Sequence, residues 1–179
     1  MVLLATLSVA FAVRHVQTGR QRHLLIAGAF LGLAASAKYS GALVGGAVLV
    51  AGGCAPADVP RLARLRRVLS AFAVAGAAFL LTTPYALIDA EAFWQDLAFE
   101  RAHYAAGHAG LQLRLGSAWA HYTGFVLRHG LGLPLLALAA VGALRLAWRR
   151  RHAGLVLLAA LGGYMVVLGL AQTGFARYA

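Results

Sequence analysis

The sequence predicts an all-α, polytopic membrane fold with about six membrane-crossing or membrane-entering helices, and three observations carry that prediction. Hydrophobic residues make up 61% of the chain and charged residues only 12%, with a mean hydropathy of +0.76. Soluble domains run nearer half apolar and a quarter charged. The apolar residues gather into runs at 2–13, 24–37, 41–53, 68–87, 131–148 and 155–171. Arginine clusters separate the runs, at Arg14, Arg20 and Arg22, at Arg61, Arg64, Arg66 and Arg67, and at Arg145, Arg149, Arg150 and Arg151. A net charge of +11 would point a soluble chain toward nucleic acid. Arginines confined to short loops between apolar spans follow the positive-inside pattern instead, so the expected partner is the lipid bilayer and not nucleic acid. At roughly 20 residues per span, residues 1–179 are read as one membrane domain. The single cysteine, Cys54, excludes an internal disulfide and cannot build a zinc site alone.

The first run, 2–13, is short and has neither the charged flank nor the small-residue cleavage site of a secretory signal. Next comes the stretch 24–53, apolar except for Lys38, which costs roughly 2.5–3.5 kcal/mol at the centre of a bilayer. One tilted helix through 24–53 would put the Arg14 and Arg61 clusters on opposite faces. A hairpin turning at Lys38, Tyr39 and Ser40 keeps both on the cytoplasmic face and lifts Lys38 to the extracytoplasmic tip, and this is the reading adopted. Each arm spans only about 20 Å at 1.5 Å per residue, short of a roughly 30 Å hydrocarbon core. Small residues at Gly28, Gly32 and Ser36, and again at Gly41 and Gly45, are expected to let the two arms pack closely.

The same parity places 84–128 outside as an extracytoplasmic segment with interfacial helices, and it holds four of the five acidic residues. Asp89 is a candidate N-cap and Glu91 a first-turn carboxylate for a helix over 90–104. On that helix Phe93, Leu97 and Tyr104 share an apolar face beside a polar stripe of Asp96, Glu100 and His103. Such a stripe can accept a proton, hold sugar hydroxyls or bind a metal, and it can equally be the solvated edge of an interfacial helix anchored by Trp94. His103 and His108 are five apart, which is not the helical metal-pair spacing, so no metal site is assigned and a divalent metal stays an open possibility. Residues 117–127 form a second interfacial helix, with Trp119, His121, Tyr122 and Phe125 at headgroup level. The run 155–171 then returns the chain outside to Arg177 and Tyr178.

Taken in order, LLIAGAFLGLAASAKYSGAL, TPYALIDAEAFWQDLAFERAHYAAGH and the terminal GFARY resemble the PMT-like glycosyltransferases. These are the dolichyl-phosphate-mannose protein mannosyltransferase family and its bacterial relatives in the GT-C superfamily, and the resemblance covers most of 20–178. It implies a GT-C-like multi-pass enzyme, located in a bacterial inner membrane. Such an enzyme transfers a sugar from a polyprenyl-phosphate carrier, with inversion, to a protein, lipid or glycan acceptor on the extracytoplasmic side.

The resemblance also implies a general-base Asp in the first large extracytoplasmic loop. No such loop precedes the Arg14 cluster, so the base is expected upstream of this chain, Met1 is read as an internal point of a longer protein, and the chain alone is expected to be inactive. A departing phosphate needs a nearby cation. Lys38 and Arg177, with Tyr39 and Tyr178 beside them, are therefore the donor-phosphate or cleft candidates; the alternative is that Lys38 snorkels to the headgroups. Asp89, Asp96, Glu100, His103 and His108 are the extracytoplasmic polar candidates. Two other classes stay open, a secondary transporter, whose substrate sites also sit at short Gly-rich half-helices, and a small non-catalytic membrane partner protein.

Overall fold

The computed structural model describes residues 1–54, 59–106, 117–149 and 151–169, and among them all regular structure is helical. Helix α1, Val2–Thr18, stops at Gly19, whose φ of 68° is left-handed and whose N–H closes on the His15 carbonyl at 2.7 Å. A Cβ would strain that conformation, which is why glycine ends the helix. Helix α2, Gln21–Ala37, ends where Lys38 turns extended (φ −164°, ψ 130°), and a 3-10 turn, Tyr39–Val44, leads into α3, Gly45–Gly53. Helix α4, Arg61–Thr82, starts directly after Pro60 and ends ahead of Pro84. The arginines at 61–67, read from sequence as a loop, therefore form the first two turns of α4, because arginine is a good helix former and Pro60 suits a helix start. The single turn α5, Tyr85–Ile88, is followed by α6, Ala90–Ala106, capped as expected by Asp89, whose Oδ1 accepts the Ala92 N–H at 3.1 Å. Then come α7, Ala118–Ala120, a π-helical stretch His121–Val126, α8, Leu127–Arg149, and α9, Arg151–Gly169.

The chain divides into two compact units, 1–87 with 145–163, and 88–144 with 164–179. In the first, α1 runs antiparallel to α2, with the buried Ser8 hydroxyl donating to the Ala27 carbonyl at 2.8 Å and the chain start meeting Ser40. The turn at Lys38 does fold 24–53 into a hairpin. Gly41 packs on Ala34, Gly45 on Leu31, and Gly52 on Leu24. The stripe of Gly28, Gly32 and Ser36, however, faces α4 and not the other arm of the hairpin. A Cβ at Gly28 or Gly32 would collide with the carbonyl oxygen of Ala71 or Ala75, and Ser36 Oγ lies 2.7 Å from Thr83 Oγ1. This register makes α2 and α4 parallel. Helix α9 lies antiparallel to α3, with Gly46 against Ala159 and Gly163 against Leu43.

One consequence is that the arginines of the α1–α2 corner, of the start of α4 and of the start of α9 all lie at the same end of the unit, while Lys38 lies at the opposite end. The core is built mainly from small side chains, among them Ala12, Ala27, Ala34, Ala47, Ala51 and Ala71. Large apolar side chains such as Leu62, Leu69 and Leu81 point outward.

In the second unit Ser117 Oγ accepts the Ala120 N–H at 3.2 Å, and the Leu127 N–H reaches back five residues to Tyr122, the mark of a π-helix. His121 and Tyr122 are 3% and 2% exposed, and Ala118, Tyr122 and Val126 pack with Phe125 into a small core. Only Trp119 keeps the exposure expected of a headgroup anchor. Ala118, Tyr122 and Val126 recur at i, i+4 and i+8, so they share one face, and His121 stands beside it. Helix α8 is broken at Gly132 (φ 75°, ψ 156°), two residues ahead of Pro134, which lacks a helical N–H. Among the described residues two stretches are long and apolar enough to cross a membrane, Arg61–Thr82 and Ala118–Leu146, the latter containing the Gly132 break; Val2–Thr18, Tyr39–Gly53 and Arg151–Val167 are apolar but shorter.

Because Gly32 meets backbone and not a movable side chain, Gly32→Ala is expected to lower stability by about 1–3 kcal/mol. Gly76→Ala, where nothing lies within 4 Å of the new Cβ, is expected to be neutral or mildly stabilising. Denaturation midpoints of the two variants in mixed micelles check the contrast, and equal midpoints would contradict the α2–α4 packing.

Candidate functional site

The parallel run of α2 and α4 brings their C-termini together, and with them the polar groups that follow each helix. Lys38 is exposed, and its carbonyl accepts the Gly41 N–H at 2.7 Å, which holds the turn. It is the only lysine in the chain, all fifteen other cationic side chains being arginine. Beside it the phenol oxygens of Tyr39 and Tyr85 are 3.4 Å apart. That is long for a hydroxyl pair. Ser36 and Thr83 close the floor of the cluster. An ammonium beside two exposed phenols is a set of donors suited to an anionic oxygen, a phosphate above all.

Tyr85 and Thr83 were not singled out from sequence, and Ser36 was read only as a packing residue. The signal was present, because charge parity already put the residues after the 68–87 run on the same side as Lys38, but the pairing across 46 and 47 positions needs the α2–α4 register.

The other candidates fare differently. Asp89 is engaged as the α6 cap, and Glu91 accepts from Gln95 Nε2 at 3.2 Å. Asp96 and Glu100 are exposed on α6, while Phe93 turns inward, with Trp94 edge-on to it at 5.4 Å. The side chain of His103, and residues His108, Arg177 and Tyr178, lie outside the described residues. Among the described residues no three His, Cys, Asp or Glu side chains gather as a metal would require.

The arginine end carries a second polar cluster. His15, buried, donates through Nδ1 to the Arg20 carbonyl at 3.0 Å. The Thr18 hydroxyl donates to the Arg14 carbonyl at 2.8 Å, so its single proton is spent and His23 Nδ1–H is the donor in the 2.8 Å contact between them. His23 stands just ahead of the apolar run, and burial, then the charges of Arg22, Arg14, Arg20 and His15, hold its pKa below the ordinary value. Burial likewise pushes the Cys54 thiol up, which slows its reaction as a thiolate.

Compared with protein-family models, curated proteins and solved structures, the chain gives no match.

For His23 the unfolded chain takes up a proton before the folded one does. Its contribution is therefore nil above the ordinary histidine value of about 6.5, and stability is lost as pH falls through 6.5 toward the lowered folded pKa. Thermal midpoints are expected to drop between about pH 7 and 5 and to drop less in His23→Gln; identical pH profiles would rule the assignment out.

Proposed function

We propose that this chain is a multi-pass membrane portion of a glycosyltransferase that uses a polyprenyl-phosphate-linked sugar, in which Lys38 contacts the donor phosphate. The observation that carries the reading is the segregation of charge along the first unit. Lys38 with Tyr39 and Tyr85 stands at one end, and the arginine clusters stand at the other. Under the positive-inside rule that orientation puts the arginines in the cytoplasm and the Lys38 cluster on the extracytoplasmic face. The packing supports a bilayer setting, since small residues form the helix contacts and large aliphatic ones face outward, the inverse of a water-soluble bundle. In this reading α4 is a full span of about 33 Å, and α1, the two hairpin arms, α8 and α9 complete the count of about six crossing or entering helices. The resemblance to the PMT-like family supplies the chemistry, and a bacterial inner membrane is the corresponding location.

In such a reaction the acceptor hydroxyl attacks the anomeric carbon and gives its proton to the general-base carboxylate that the resemblance implies. The bond from that carbon to the phosphate oxygen breaks at the same time, and negative charge grows on the departing phosphate. Lys38 would stabilise that charge, with Tyr39 and Tyr85 donating to its remaining oxygens. The same interruption of a helix by a cation also suits a secondary transporter, for which uptake of labelled sugar without transfer would be the signature.

Two measurements test the reading. Lys38→Gln in the natural full-length protein is expected to lower sugar transfer from the polyprenyl-phosphate donor by roughly a hundredfold, with Lys38→Arg retaining part of it; undiminished transfer by the Gln variant would refute the phosphate contact. For topology, a membrane-impermeant maleimide should label the sole cysteine, Cys54, only from the cytoplasmic side and slowly below pH 8 or so. Lys38→Cys in a Cys54→Ala background should label only from the opposite side.

A further inference from the structure

We infer that the arginine end of the first unit is a binding surface for anionic glycerophospholipid, with a headgroup phosphate between the α1–α2 corner and the start of α4. Charge balance is the first support. Of the sixteen Lys and Arg side chains, all but Arg101, Arg114, Arg128 and Arg177 belong to this unit, whereas its only carboxylate is Asp58. Ion pairing within the unit cannot neutralise such an excess, so counter-charge must come from outside. Proximity is the second. Gln21 Nε2 donates to the Arg67 carbonyl at 3.2 Å and to Ser70 Oγ at 2.9 Å, which ties the corner to α4 and brings Arg20 and Arg22 alongside Arg66 and Arg67. Arg20, Arg22 and Arg66 are exposed there.

The third support selects the partner. Inward of Arg66 along α4, Leu69 and Phe72 are exposed (57% and 39%), and Leu62 and Leu65 continue that exposed apolar side toward the helix start. A nucleic acid or a free phosphate has no use for that stripe, whereas a phospholipid presents a phosphate at one level and an acyl chain at the next. Guanidinium groups suit the phosphate because their planar donors can engage two oxygens at once. The inference shares only the membrane setting with the proposed enzyme activity, and it concerns the opposite end from Lys38.

The test is a lipid titration of the full chain, read by native mass spectrometry, comparing phosphatidylglycerol with phosphatidylcholine. Phosphatidylglycerol is expected to bind preferentially, with a preference that falls as salt is added. Each arginine neutralised should cost about fivefold at low salt, so Arg22→Gln/Arg66→Gln/Arg67→Gln together should weaken binding by roughly a hundredfold. The matching triple substitution to Lys should keep most of it, and Lys38→Gln should leave it unchanged. Equal binding of the two lipids by the unmodified chain, or undiminished phosphatidylglycerol binding by the Gln triple, overturns the inference. If the Gln triple does not fold, the lipid preference of the unmodified chain and its salt dependence still decide. Loss of sugar transfer in Lys38→Gln with lipid binding intact separates the two sites, since each can fail without the other.

Discussion

The close approach of α2 to α4 is the constraint on which the first unit rests. At Gly28 and Gly32 the two backbones come near enough that no side chain fits between them, and at the top of the same stripe Ser36 and Thr83 exchange a hydrogen bond. Contacts of this kind stabilise through dispersion and short polar bridges and not through expulsion of water, which suits helices whose outer faces are already apolar. The approach also dictates direction. Two helices whose contacts advance together from Gln21 and Ser70 to Ser36 and Thr83 are parallel, so both begin at one end and finish at the other.

From that direction follows the polarity of the unit. Arg22 opens α2 and Arg61 opens α4, so their arginines share an end, and α9, antiparallel to α3, brings Arg151 to it as well. The C-termini share the other end, where Lys38, Tyr39 and Tyr85 meet. Under the proposed function and the proposed lipid site the two ends would face different chemistries, an anionic headgroup layer on one side and a polyprenyl phosphate on the other. A single lysine among fifteen arginines fits that division, because an ammonium on a flexible stem can follow a phosphate through a reaction while guanidinium groups hold fixed anions in a planar fork.

Much of this was legible residue by residue. Lys38 announced the hairpin turn because an ionised group in an apolar run demands an explanation, and the glycine and serine spacing announced a close helix contact. The Asp89 cap was readable because the pattern of a capping carboxylate before a helix is local. The Lys38 cluster was half legible: Tyr39 is a chain neighbour, whereas Tyr85 and Thr83 are brought in only by the α2–α4 register. The inward turn of Tyr122 was readable in the i, i+4, i+8 spacing of Ala118, Tyr122 and Val126, but the aromatic and polar composition of 117–127 pointed to the headgroup level instead.

The sequence by itself determined the helical class, the turn at Lys38, the cap at Asp89 and the segregation of arginines between apolar runs, because composition, capping and propensity act over a few residues. The tertiary structure alone decided which partner the Gly28, Gly32 and Ser36 stripe would meet. A small-residue stripe encodes that some backbone will come close, not whose, and both the neighbouring arm and α4 offered alanines and glycines to receive it. Geometry chose α4, and that choice set Tyr85 beside Lys38 and Arg67 beside Gln21.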